Sequence, residues 1–146
     1  MIHMTIQSQA IRAWLTRAAA SGRNLTPMLK NMGEELLNST LERFDKSLAP
    51  DGSAWAPNSP VTLARKRGSQ PLVGETGLLS TEIDYQVSGH ELVLASNKEY
   101  AAMQQFGGTR SRFGHLWGDI PARPFLGLST ADEQALLEIA EDYLTR

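Results

Sequence analysis

Cysteine is absent from this chain, which excludes disulfide staples and thiolate-bound metal and fits folding in a reducing compartment. Histidine is scarce. His3, His90 and His115 lie far apart, and none has the helical i, i+4 partner or nearby acid of a zinc protease site. There is no Gly-x-Ser-x-Gly elbow and no phosphate-cradling Gly-x-x-x-x-Gly-Lys loop. The adjacent carboxylates Glu34-Glu35 and Glu141-Asp142 diverge on a helix and suit solvated faces, not shared acid–base work. The sequence therefore nominates no catalytic residue, no metal ligand and no cofactor-binding residue, and we expect no enzyme. Charge of one sign is also missing. With 14 Lys+Arg against 16 Asp+Glu the formal net charge is −2, so no global basic field draws the protein to nucleic acid or to an anionic membrane. No apolar run approaches the ~20 residues of a membrane helix. The N-terminus, Met1 to Ile6, lacks the basic-then-apolar layout of a secretory signal. The expectation is a soluble protein made inside the cell.

What the chain does contain is enough apolar sequence for a single domain over residues 1–146. A domain of this size buries roughly 68–70% of its unfolded surface. Residues 4–20 read as a first helix with Ile6, Ala10, Ala13 and Trp14 on one face, ended by Ser21-Gly22-Arg23-Asn24. Thr26 as cap and Pro27 in the first position open a second helix. Its stripe, Leu29, Met32, Gly33, Leu36, Leu37, Thr40, Leu41, Phe44 and Leu48, is the clearest helical period in the chain. Residues 49–77 are irregular and punctuated by proline, with a short helix capped by Ser59 and ending at the cations Arg65-Lys66-Arg67. A hairpin follows: Ile83, Tyr85 and Val87 alternate, Ser88-Gly89-His90 turns, and Leu92 and Leu94 alternate on the return. Lys98 to Phe106 forms a short helix stopped by Gly107-Gly108. Residues 109–119 have no period and read as mobile, and 120–128 are extended. Thr130 with Glu133 predicts a capping box for a last helix, whose stripe is Leu136, Ile139, Ala140, Tyr143 and Leu144. This order predicts an α+β fold, with helices packed on a small, mainly antiparallel sheet and long irregular loops. Long loops in a small domain are commonly functional, which directs attention to 49–77 and 107–119.

Two stretches stand out, Tyr100 to Gly108 with its Gln104-Gln105-Phe106-Gly107-Gly108 end, and Ile120 to Gly127, where Arg123 lies between Pro121 and Pro124. Together with Pro50 to Pro57 around Trp55, Ser59-Pro60, Thr62 and Glu75 to Leu79, they make the chain resemble the phage virion-morphogenesis family, the tail-completion proteins of Mu-like and related tailed phages. The resemblance covers roughly residues 26–132 and rests on the order and spacing of short motifs. It implies a structural part of a tailed-phage particle or prophage, acting in tail completion and stable head joining. Such relatives are also described as capsid-assembly proteins. Implied partners are other tail or head-tail connector proteins and further copies of the chain in a ring, with localisation in the virion and in the host cytoplasm during assembly. The loop between Gly108 and Ile120 has no clear counterpart in the family pattern. Residues 1–22 match weakly and are left open as a helical arm that docks on a partner.

Candidate interface residues follow from side-chain type. Arg110, Arg112, Phe113 and Trp117 combine cations and aromatics in a glycine-bracketed loop that supplies no apolar packing, which favours contact with another molecule. Cations interleaved with aromatics also suit single-stranded nucleic acid, which leaves a small prophage-encoded nucleic-acid-binding protein as the alternative outside assembly, but the acidic balance weighs against it and favours incidental contact in a channel. Trp55 either anchors an interface or folds back to pin its own loop, and we favour the second. Arg123 is either a water-exposed edge residue or a guanidinium held for a carboxylate within the fold or across a subunit boundary. Phe106 and Phe125 are expected in the core, and Gln104 or Gln105 is expected to reach the neighbouring loop.

Overall fold

The computed structural model describes residues 2–3, 8–56, 83–96, 101–107 and 121–145. These form strand β1 (Ile2–His3), helices α1 (Gln9–Ala20) and α2 (Thr26–Lys46), strands β2 (Ile83–Ser88) and β3 (Glu91–Ser96), and helices α3 (Ala101–Phe106) and α4 (Thr130–Leu144). The fold is α+β, as expected. β3 is central in a three-stranded antiparallel sheet ordered β1-β3-β2. Strand β1, which periodicity did not foretell, aligns Ile2 with Ser96 and His3 with Ala95. In the hairpin, Ile83 faces Ser96, Tyr85 faces Leu94 and Val87 faces Leu92, so the alternating residues of both strands share one face. Gly89 turns the chain at φ 57°.

That face packs on α2, which lies between the sheet and α4. The contact is close at Gly33: a Cβ there would stand 2.5 Å from the Tyr85 ring. The Tyr85 hydroxyl donates to Glu34 Oε1 at 2.7 Å, holding the ring over the glycine. The predicted α2 stripe is buried at Leu29, Met32, Gly33, Leu36, Thr40 and Phe44, and Met28 and Arg43 join it. The start of α2 differs from expectation. Leu25 is the capping residue and makes no side-chain bond, Thr26 is already helical, and the Asn24 carboxamide accepts from Thr26 N at 3.2 Å.

α1 is shorter than the predicted 4–20, and its buried face is Ile11 and Ala18 with Trp14 and Leu15 half-buried. Ala10 and Ala13 are exposed instead, because helix α4 covers a stripe one residue further along. Ser8 caps α1 and its hydroxyl donates to Glu133 at 3.0 Å. At the other end Arg23 donates to Tyr143 O at 2.8 Å, and the Tyr143 hydroxyl donates to Asn24 O. Starts meet starts and ends meet ends, so α1 runs parallel to α4 and sits on the protein's own core.

α4 begins one residue earlier in its capping than expected. Ser129, not Thr130, is the cap, and Asp132, not Glu133, closes the box. Leu136 and Ala140 are buried, with Ile139, Tyr143 and Leu144 half-buried. The predicted short helix after Ser59 and the mobile segment 109–119 lie outside the described residues.

Candidate functional site

The C-terminal end of α2 leaves the helix abruptly. Ser47 takes the left-handed conformation at φ 56°, and the chain then folds into a miniature hairpin. Leu48 pairs with Ala54, Ala49 N donates to Ser53 O at 2.8 Å, and Trp55 N donates to Ser47 O at 2.8 Å. Gly52 turns it at φ 89°. The Asp51 carboxylate accepts from Ser53 Oγ at 2.6 Å and Ser53 N at 2.9 Å, and these bonds hold its pKa below the ordinary carboxylate value. The hairpin thereby lays Trp55 back over α2. Its ring meets Phe44 edge-on at 5.4 Å, and Phe44 meets Phe125 at 5.6 Å.

Residues 121–128 cross this aromatic cluster as a strap, fastened from several elements. Extended backbone was expected here, but among the described residues the strap joins no strand, and side chains satisfy its backbone instead. Gln105 of α3 does most of this. Its Oε1 accepts from Phe125 N at 2.9 Å and from Leu126 N at 3.0 Å, while its Nε2 donates to Leu126 O at 2.9 Å. Arg123 N donates to Gln104 O at 2.8 Å. From the opposite element, Trp55 Nε1 donates to Pro124 O at 2.7 Å and Arg123 Nε donates to Ala56 O at 2.8 Å. Residues 55–56 and 123–124 thus exchange side-chain-to-backbone bonds. Gly127 lets the strap lie on the hairpin, since a Cβ there would stand 2.6 Å from Pro50 Cγ.

Beneath the strap is a buried ion pair. Arg43 donates to Asp132 Oδ2 through one nitrogen and to Phe125 O at 2.9 Å through another. Asp132 also accepts from the Ser39 hydroxyl and, at 3.0 Å, from Ser129 N, so its carboxylate both caps α4 and neutralises the arginine. The N-terminal end of a helix favours that negative charge. Burial lowers the pKa of Arg43, and the charge of Asp132 opposes the shift. Burial alone lowers that of Arg123. Among the described residues, no buried side-chain nitrogen or oxygen lacks a hydrogen-bond partner and no three acids or histidines gather as a metal site. The polar groups of the clasp are used in holding the strap.

Of the predicted site residues, the structure brings Trp55 and Arg123 together, both facing inward at 5% and 8% exposure. Trp55 pins its own loop, and the exposed reading of Arg123 is excluded. Phe125 is fully buried as expected. Phe106 corrects the expectation: it is 73% exposed, because Gln105 is the residue of that turn directed at the strap. Arg110, Arg112, Phe113 and Trp117 lie outside the described residues, as do 57–77 of the first loop and 108–119 of the second. Sequence reasoning missed Arg43 and Asp132. Arg43 falls on the buried side of α2 beside Phe44, and Ser129-x-x-Asp132 has capping-box spacing, so each left a legible but unread signal.

Alongside the clasp runs a groove of about 410 Å³ between α2, the hairpin and the start of α4, lined among others by Glu35, Glu42, Leu48, Ala49, Pro50 and Ala131. No described helix is long and apolar enough to cross a membrane.

The three motifs that meet in this clasp are among those on which the family resemblance rests, and comparison with known proteins agrees. The phage virion morphogenesis family matches residues 6–145. The chain is similar to "Mu-like prophage FluMu G protein 2" of Haemophilus influenzae, with 31% identity over 144 residues, 98% of this chain and 96% of that protein. It is also similar to "Putative capsid assembly protein G" of Escherichia phage Mu, with 31% identity over 112 residues, 73% of this chain and 71% of the other. No solved structure matches it. With the family matched over nearly its whole length and a prophage relative aligned end to end, the chain belongs to the phage virion morphogenesis family.

Proposed function

We propose that the protein is a structural subunit acting in tail completion and stable head-tail joining, placed in the virion after assembly in the host cytoplasm. The observation that carries this reading is the clasp. Arg43, Trp55 and Gln105 fix the strap from separate elements through the backbone of Pro124, Phe125 and Leu126, which makes a rigid platform for neighbouring proteins. A surface ordered before binding loses less conformational freedom when a partner docks. The partners are other tail or head-tail connector proteins and further copies of this chain. Contacts that pair two different surfaces of one chain close into a ring when the rotation permits. Trp55 contributes by shaping the hairpin; the surface offered to partners is the outside of that hairpin together with the segment carrying Arg110, Arg112, Phe113 and Trp117.

Deleting the gene in a lysogen and imaging the induced lysate tests this. Separate heads and tails, or tails of irregular length, are expected; normal infectious particles overturn the reading. A second reading, capsid assembly, is favoured by the printed name of the phage Mu relative. It is distinguished in the same images by missing or misshapen heads with normal tails.

A further inference from the structure

We propose that strand β2 is a pairing edge whose occupant is β2 of a second copy, running antiparallel about Tyr85 so that the two sheets join into one. In the order β1-β3-β2 this strand is outermost, and among the described residues no strand pairs with its far side. Sheet edges are commonly blunted by proline, lysine or a bulge, yet Ile83–Ser88 has no proline or lysine and keeps an unbroken register with β3. Hairpin geometry fixes which groups the edge offers. Ser88 and Glu91 close the two-residue turn as a hydrogen-bonded pair, and the ladder alternates from there. Ile83, Tyr85 and Val87 accordingly turn their N–H and C=O groups away from β3. Tyr85 N donates instead to the carboxylate of its own neighbour Asp84 at 2.8 Å, so that oxygen stands in for the carbonyl of an added strand.

The sequence of the strand favours a copy of itself as that addition. Ile83-Asp84-Tyr85-Gln86-Val87 is nearly symmetric about Tyr85. With Tyr85 opposite Tyr85 of the second copy, each outward N–H meets a carbonyl, and Ile83 lies across from Val87 as a β-branched pair on the core face. On the other face, exposed Asp84 lies across from exposed Gln86, at a position where antiparallel side chains come closest. The Asp84 carboxylate then accepts from the Gln86 carboxamide, and the Tyr85 carbonyl of the second copy replaces it at Tyr85 N. A register centred on Asp84 would set two carboxylates against each other, which disfavours it. The Tyr85 hydroxyl also marks the side of α2 nearest the edge, since it reaches Glu34. Leu37 and Leu41 recur on that side at helical spacing and are half-buried, so joining the edges brings an apolar flank of each α2 toward the other. The contact is isologous and closes on two copies, so it goes beyond the ring contact proposed above and does not depend on it.

The cysteine-free sequence gives a direct test. Asp84→Cys and Gln86→Cys are made singly in the full-length protein, mixed at high concentration and oxidised. A mixed disulfide is expected to form faster than either homodisulfide, because position 84 faces 86 and not itself. Homodisulfides formed as fast, or no disulfide dimer, overturn the pairing. Sedimentation across a concentration series, without cysteine variants, supplies the second measurement. Gln86→Glu sets a carboxylate opposite Asp84 at both symmetric positions and should weaken association several-fold, whereas Gln86→Lys should strengthen it. Gln86 is exposed, so neither substitution should move the melting midpoint of dilute monomer. A chain that stays monomeric at every concentration, or a dimer indifferent to both substitutions, overturns the pairing. So does slow hydrogen exchange at Val87 N–H in dilute monomer, which would mean that another segment of the chain already covers the edge. None of these outcomes bears on the assembly reading, which fails on normal particles from the deletion lysogen.

Discussion

Gln105 satisfies three backbone groups of the strap with one carboxamide. Gln105→Ala leaves Phe125 N, Leu126 N and Leu126 O to find other partners, at a cost on the order of 3 kcal/mol, readable by urea denaturation. Gln105→Glu keeps an acceptor for both N–H groups but turns a carboxylate oxygen toward Leu126 O, so it too should lower stability. Arg43 carries a heavier penalty. Arg43→Met strips the partner from a buried Asp132 and is expected to lower stability by about 3–5 kcal/mol. Asp51 supplies a pH-dependent contribution. Its folded pKa is depressed by Ser53, so the stabilisation is complete above the unfolded carboxylate value and is lost as pH falls through the folded value. A carboxyl titration followed by NMR should place Asp51 below a model peptide, and Ser53→Ala should return it upward.

At the level of elements, each helix is positioned by its ends as much as by its stripe. The α4 cap is the sharpest case, because Ser129 and Asp132 exchange bonds while Asp132 is also engaged by Arg43 and Ser39. Ser129→Ala should cost about 0.5–2 kcal/mol, whereas Thr130→Ala, at an exposed helical position, should change the melting midpoint little. Equal effects at the two positions would contradict the cap assignment. Between α2 and the sheet, contact depends on the missing side chain of Gly33, just as contact between strap and hairpin depends on Gly127. These glycines are chosen for closeness, not for unusual backbone angles.

For the molecule as a whole, α2 is the organising element. It meets the sheet on one side and α4 on another, and its far end reaches the strap through Arg43 and the hairpin through Ser47. α1 completes the structure by covering α4 with Ile11 and Ala18, at 2% and 0% exposure. Removing residues 1–20 uncovers that face. The truncated chain is expected to lose at least about 3 kcal/mol, given what one buried isoleucine is worth in a core, and to melt earlier by circular dichroism. An unchanged melting curve would mean that α1 contributes nothing to the fold.

The sequence alone settled what depends on near neighbours: the α2 stripe, the hairpin with its turn at Gly89, the stop at Gly22, the burial of Phe125, and a family resemblance carried by motif order. Periodicity and turn chemistry are local, so they survive in a linear reading. Only the tertiary structure decided which way adjacent residues face and which distant groups satisfy one another. Gln105 turns inward and Phe106 outward although they are neighbours in the chain, because the strap lies some twenty positions further on and claims the carboxamide. Arg43 and Asp132 stand 89 positions apart and find each other only once α2 and α4 pack. Hydrogen bonds and ion pairs act over a few ångströms of space, and separation along the chain is no guide to which partners they will join.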